Sequence, residues 1–354
     1  MAANGTVTPQ QLEEAKAKFK EDGWAVIPNV IDAEKTKEVL DRLWKAKEES
    51  ERRGDPTRLE WLDPNESNVR VFYLMELDPI FRELIQHPVA IEMVQSALGK
   101  NFLVSNFTAN IARPGSKSMG LHSDLSLQCP DPWLSTWGLN VIWCLTDIYY
   151  ENGATLYIPG SHHWKTRADV PPDEEAKKML VPFEAKAGSI VVMDGRLWHT
   201  SGCNITKDVD RALLFGAYNA PFLRGQVNWA VGLSEETKAT LSPQLREWLG
   251  VNRDGNLGVV TGVNDVFVED PNYCMPVGNQ EEGSVLRAVP ADGSTLWVKS
   301  GQRMDSVTFT PIPIPLSLAA SLQWGWPGEL ARQLNGAGRS STILNLNTAL
   351  LRAG

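Results

Sequence analysis

Apolar residues first recur at a helical interval between positions 9 and 22, where Leu12, Ala15 and Phe19 fall on one stripe. Thr8 precedes Pro9 and is followed by Gln11, a combination suited to a capping box with proline in the first helical position. Gly23 supplies the stop. The next run, WAVIPNVI (24–31), predicts a short strand. Asp32 then caps a second predicted helix carrying Val39, Leu40, Leu43 and Trp44. Two more helices are predicted to open at Asp78-Pro79 and His87-Pro88, the latter closing at Gly99, so His87 reads as a helix-start residue.

From about residue 102 the period changes. FLVSNFTANIAR, LNVIWCLTDI, ATLYIPG, GSIVVMD and RALLFGAYNA are β-rich runs separated by Gly, Pro, Asp and Asn. Strands without long helices between them imply an antiparallel barrel or sandwich, not a parallel nucleotide-binding sheet. The acidic stretch 168–179 reads as a surface excursion between strands. After about 285 the chain becomes rich in Ser, Gly and Pro, and FTPIPIPL is unsuited to a central strand. The expected organisation is one domain over 1–285 with N-terminal helices. A C-terminal extension, 286–354, is expected to serve as a lid or as the contact of a homodimer.

Composition narrows the function classes. Hydrophobic residues make up 42% and charged residues 22% of the 354, enough apolar material for a sizeable core. The formal charge is -9 and no stretch concentrates Lys and Arg, which counts against a nucleic-acid partner. The polar N-terminus lacks a signal-peptide core, no apolar run reaches the roughly 18 residues of a membrane span, and LLRAG is not a peroxisomal tripeptide. A cytoplasmic protein without a membrane partner is expected. Cys129, Cys144, Cys203 and Cys274 are widely spaced, so they read as buried or incidental thiols.

The chain has five histidines, and one of them stands two residues before an aspartate in GLHSDLSLQ. In an extended segment, residues two apart point to the same side, so His122 and Asp124 would share a focus with Ser123 turned away. His199 follows the apolar strand of AGSIVVMDGRLWHTSGCN and its Asp194-Gly195 turn, which places it at a barrel mouth as the third candidate ligand. His162 and His163, after the turn IPGS, read as an exposed loop pair. Two imidazoles and one carboxylate on one face of a metal leave three positions open, the arrangement of non-haem Fe(II) oxygenases. A catalytic zinc site uses similar ligands with one open position. Arg211, twelve residues after His199 (211 − 199 = 12), opens a strand that could return beside the metal, where a guanidinium would hold a carboxylate in bidentate fashion. The alternative is a surface arginine paired with Asp208 or Asp210.

GLHSD, NGATLYIPGSHHW, AGSIVVMDGRLWHTSGCN and RALLFGAYNAPFLRGQVNW resemble the successive motifs of the phytanoyl-CoA dioxygenase family, and FKEDGWAVIPNVID resembles its N-terminal helix and strand. The resemblance spans about residues 15–230. It implies a mainly β protein with flanking helices and a double-stranded β-helix (jelly-roll, cupin-like) core. It also implies Fe(II) on His122, Asp124 and His199, with 2-oxoglutarate and dioxygen as co-substrates. Arg211 becomes the 2-oxoglutarate anchor, and Thr155 falls where family members place a threonine beside the co-substrate. Met119 departs from relatives that carry glutamine three residues before the first ligand.

For the substrate, strand 102–112 would present Asn106, Thr108 and Asn110 on one face, and Trp133 and Trp137 are candidate walls for an apolar molecule. The alternatives are a solvated strand face and core tryptophans. A small natural-product-like molecule is expected, with an acyl-CoA thioester as the alternative within the family. A cupin-like metal isomerase or hydrolase working without 2-oxoglutarate, and a non-catalytic binding protein, are the readings outside that activity.

Overall fold

A computed structural model describes residues 7–60, 62–251, 285–288 and 296–299. Helix α1, Pro9–Asp22, opens on the expected capping box: Thr8 accepts from the Gln11 amide, and Gln11 Oε1 accepts from the Thr8 amide at 2.8 Å. At Gly23 φ is 79°, a left-handed conformation that turns the chain directly into β1, Trp24–Ile27. The strand is shorter than WAVIPNVI because Pro28 has no amide for a ladder and Asn29 takes a positive φ of 54°. Val30 and Ile31 instead donate to the Gly188 carbonyl. Helix α2, Ala33–Arg53, is capped by Asp32, which accepts from the Lys35 amide at 2.7 Å. Strand β2, Asn68–Val71, and helix α3, Leu74–Leu77, follow. Helix α4, Pro79–Ile85, is capped by Asp78; α5, Pro88–Leu98, starts at His87 and stops at Gly99.

The remaining elements build two facing sheets. They are β3, Leu103–Ala112; α6, Asp124–Gln128; β4, Gly138–Cys144; β5, Thr155–Tyr157; α7, Asp173–Lys178; β6, Val181–Pro182; β7, Ile190–Asp194; β8, His199–Ser201; and β9, Arg211–Asn219. Short helices α8, Trp229–Gly232, α9, Glu235–Ala239, and α10, Pro243–Trp248, come after them. The larger sheet runs β1-β7-β4-β9-β3-β2 and the smaller β6-β5-β8, every pairing antiparallel. This is the jelly-roll architecture. The acidic stretch 168–179 is more ordered than a plain excursion: three acidic residues open α7 and two lysines close it, in the sense that suits a helix dipole.

Alternation along the strands decides which face does what. Phe107, Ala109 and Ile111 of β3, Val141 and Trp143 of β4, and Leu214 and Tyr218 of β9 join one core with the N-terminal helices. On the opposite face Ile142, Cys144, Val191, Met193 and Leu213 pack with Ala154, Tyr157 and Phe183 from the smaller-sheet side. The rest of that inner face is polar and lines a cavity.

By contacts the chain divides into two compact units, 1–272 and 273–354. The described part of the second is an antiparallel hairpin of β10, Val285–Ala288, and β11, Leu296–Lys299. FTPIPIPL and Cys274 lie outside the described residues. Among the described residues no helix is long and apolar enough to cross a membrane.

Candidate metal and co-substrate site

Two backbone hydrogen bonds join segments far apart in sequence: the His122 amide donates to the His199 carbonyl at 3.0 Å, and the His199 amide to the His122 carbonyl at 2.8 Å. The two imidazoles therefore stand side by side, with ring centres 4.4 Å apart. Ser123 is buried and turned away, but the extended stretch ends there. Its hydroxyl accepts from the Ser126 amide at 3.2 Å and caps α6, so Asp124 is a first-turn helical residue and not a strand residue. Asp124 still reaches the same point: its Oδ1 lies 3.6 Å from His122 Nε2 and 3.9 Å from His199 Nε2. One ligand atom from each of the three lies within 4.8 Å of the others.

The protein orients these groups for a metal. Nδ1 of His122 faces the Gly120 carbonyl at 2.8 Å, and Nδ1 of His199 faces the Leu197 carbonyl at 2.9 Å. A carbonyl can only accept, so each Nδ1 carries the proton and each Nε2 presents its lone pair. Burial first, then the neighbouring His122, push the His199 pKa down to about 4 against the opposing pull of Asp124. That imidazole is neutral at pH 7, as a ligand must be. Asn140 donates its side-chain amide to Asp124 Oδ2, holding the carboxylate from behind. The donor set, two imidazoles with Nε2 turned to one point and one carboxylate on one side, fits Fe(II).

The other histidines serve structure. His87 is buried, with its ring edge-on to Trp143 at 5.4 Å. The exposed-loop reading holds for His163 and fails for His162, which is 2% exposed because the turn Ser161–His163 folds its ring against the glycine that ends α1.

Beside the triad lies a cavity of about 570 Å³. Arg211 lines it and is 1% exposed. Its Nε donates to the Gly153 carbonyl at 3.1 Å and its Nη1 to Asn110 Oδ1 at 3.3 Å, both neutral acceptors. No carboxylate pairs with it among the described residues; Asp210 lies instead beside Arg113 at 3.7 Å. The surface-arginine alternative is therefore set aside. Burial pushes the Arg211 pKa down to about 10, which still leaves it protonated at neutral pH. A buried cation with only neutral partners is costly unless an anion completes it.

Thr155, Asn106, Thr108 and Asn110 all line the same cavity. Thr155 stands opposite Ser201 in the β5–β8 register, near the Arg211 end. The tryptophans do not reach it. Trp133 is 2% exposed, donating its indole N–H to the Cys129 carbonyl at 3.1 Å, and Trp137 packs edge-on to Phe222 at 5.7 Å. Apolar walls come instead from Leu59, Leu62, Phe72, Leu127 and Val227. Sequence reading missed Asn140, although a lone amide within LNVIWCL was a visible signal. It also missed Arg70, whose Nε donates to Asp63 Oδ2 at 2.8 Å and whose Nη2 reaches the Met119 sulfur at 3.2 Å.

Comparison with known proteins agrees with this arrangement. The pattern described as "Phytanoyl-CoA dioxygenase (PhyH)" matches residues 19–212. "Dioxygenase af480" of Aspergillus fumigatus is 55% identical over 244 residues, 69% of this chain and 78% of that protein. "Multifunctional dioxygenase ausE" of Emericella nidulans is 25% identical over 277 residues, 70% of this chain and 89% of that protein. The crystal structure of the "non-heme alpha ketoglutarate dependent carbocyclase SnoK from nogalamycin biosynthesis" shares the fold, with a TM-score of 0.51 at 20% identity over 66% of this chain and 91% of that one. As its ordered motifs implied, the chain belongs to the phytanoyl-CoA dioxygenase family.

Proposed function

We propose that this protein is an Fe(II)/2-oxoglutarate-dependent dioxygenase of natural-product metabolism, with His122, Asp124 and His199 as the iron ligands. Hydroxylation of a small organic substrate is the default outcome; desaturation, epoxidation or rearrangement would use the same residues. One observation carries the reading: a three-ligand site shares its cavity with Arg211, a buried guanidinium that no carboxylate among the described residues neutralises. Held by these three residues, Fe(II) would supply the redox chemistry that turns 2-oxoglutarate and dioxygen into succinate and carbon dioxide as the substrate is oxidised.

The chain's own residues set the geometry. Arg211 binds the far carboxylate of 2-oxoglutarate, with Thr155 beside it on the cavity wall. The Gly120 and Leu197 carbonyls fix the two imidazoles, and Asn140 fixes Asp124. Residues 1–285 form the dioxygenase domain in this reading, followed by the C-terminal extension 286–354. The charge of -9 counts against a nucleic-acid partner, and the enzyme is taken to act in the cytoplasm.

Anaerobic addition of Fe(II) and 2-oxoglutarate tests the proposal through the weak visible band of the chelate. Arg211→Ala is expected to bind iron normally but to weaken 2-oxoglutarate by the value of a buried charge pair. That is about 2–5 kcal/mol, or roughly 30-fold to several thousand-fold. Arg211→Lys restores part of the loss, since a point charge lacks the two-pronged contact. Apparent 2-oxoglutarate constants agreeing within about threefold across the three proteins would overturn the anchor, because a charge-assisted pair is worth more. Turnover without 2-oxoglutarate consumption would point to a metal isomerase or hydrolase.

A further inference from the structure

We infer that the outer part of the cavity admits an uncharged, mainly apolar molecule and reads one of its hydroxyl groups through Thr108. The inference rests on the Fe(II)/2-oxoglutarate reading. The charged side chains lining the cavity, apart from the two ligand histidines, are Arg70, Asp124 and Arg211. Arg70 is already closed by Asp63, which is 1% exposed and takes its Nε at 2.9 Å and 2.8 Å through its two oxygens. With metal and co-substrate bound, the two charges of Fe(II) and that of Arg211 cancel Asp124 and the two carboxylates of 2-oxoglutarate. Among the described residues no unpaired charge remains to receive an ionic substrate. An acid or amine would leave water for walls made by Leu59, Leu62, Phe72, Leu127 and Val227, and would pay the desolvation cost without a partner.

The polar side is equally selective. Across β3, β9 and β4 the register sets Asn106 opposite Ala217, and Ala217 opposite Asn140. A methyl group therefore lies between two amides, leaving open floor next to the residue that holds Asp124. Asn106 donates to Gln226 at 2.9 Å, Asn140 donates to Asp124, and Asn110 accepts from Arg211. Thr108, opposite Phe215 on the same face, is 7% exposed and its hydroxyl bonds to no other described residue. Its hydroxyl is left for a ligand, as are the buried Asn106 Oδ1 and Asn219 Oδ1 that also line the cavity; unlike those two oxygens it can donate as well as accept.

The test uses the full chain with Fe(II) and 2-oxoglutarate, without oxygen, and calorimetric titration of three matched probes: cyclododecanol, cyclododecanecarboxylate and cyclododecylammonium. The alcohol is expected to bind at least about tenfold more tightly than either ion, because only the ions lose hydration without a partner. Thr108→Val should weaken the alcohol by about three- to tenfold, the value of one hydrogen bond, and leave the 2-oxoglutarate constant unchanged. Asp63→Asn, which uncovers Arg70, should move the preference toward the carboxylate. An ion that binds wild type as tightly as the alcohol overturns the inference, as does an alcohol that fails to bind while 2-oxoglutarate binds. Failure of 2-oxoglutarate itself to bind is a different result: it removes the functional reading and this inference with it.

Discussion

Asn140 sits in an otherwise apolar strand and directs its amide at Asp124, so its role is read from what the carboxylate would do without it. A carboxylate held at one oxygen presents the other to the metal in a fixed direction; released, it must be reoriented each time a metal binds. Asn140→Leu keeps the volume and removes the donor. Metal affinity is expected to fall by about 10- to 100-fold, the usual effect of removing a hydrogen bond that orients a ligand. Anaerobic calorimetry with Fe(II) measures this directly, and unchanged affinity would show that α6 alone positions Asp124. Residue types at the candidate metal site were legible because the chain has only five histidines and because imidazole, carboxylate and guanidinium are chemically specific. Trp133 and Trp137 were not, since an indole serves a core and a binding wall equally well.

At the scale of elements, the boundary between α1 and β1 is a tight junction. Gly23 has φ 79°, and a Cβ there would stand 2.5 Å from Cγ of His162. Gly23→Ala therefore combines left-handed strain, about 1–2 kcal/mol, with a steric clash that costs about 1–3 kcal/mol more. Urea denaturation is expected to show a loss of at least about 2 kcal/mol. Adding His162→Ala should recover part of it, and a double variant whose losses simply add would show that the ring is not what Gly23 accommodates. The elements themselves were readable wherever a cap spoke for them: Thr8 with Gln11, Asp32, Asp78 and Gly99 mark the helix ends observed. Strand β8 was not readable. His199–Ser201 is too short to carry a pattern, and it exists because β5 and the His122 segment offer it partners.

Across the whole molecule, buried histidines tie stability to pH. Burial holds both His87 and His162 below the ordinary value of 6.5. Neither ring nitrogen of either residue has a hydrogen-bond partner, so neither proton would find an acceptor in the folded state. The unfolded chain binds more protons than the folded one once the pH drops below about 6.5, so stability is full above that value. It is lost as the pH falls through the depressed folded-state values. Urea midpoints for the metal-free protein should decline from about pH 7.5 to about pH 5.5, and His87→Gln should flatten the decline. An identical slope in the variant would assign the acid sensitivity to other groups.

Sequence by itself determined an antiparallel β class, the N-terminal helices and their caps, and the ordered motifs whose resemblance implied the jelly roll. These are local or periodic properties: a cap needs three residues and a strand face needs alternation. It also determined which side chains could bind a metal. What only the tertiary structure decided is how they meet. His122 and His199 become neighbours through a backbone bridge between distant segments, and Asp124 joins them from a helical turn that no extended spacing describes. Arg211 becomes a buried guanidinium with neutral partners only because folding sets it against Gly153 and Asn110 and leaves Asp210 beside Arg113. Burial and the choice of partner are properties of the packed whole, and they decide that Arg211 meets only neutral acceptors and that the Thr108 hydroxyl meets none among the described residues.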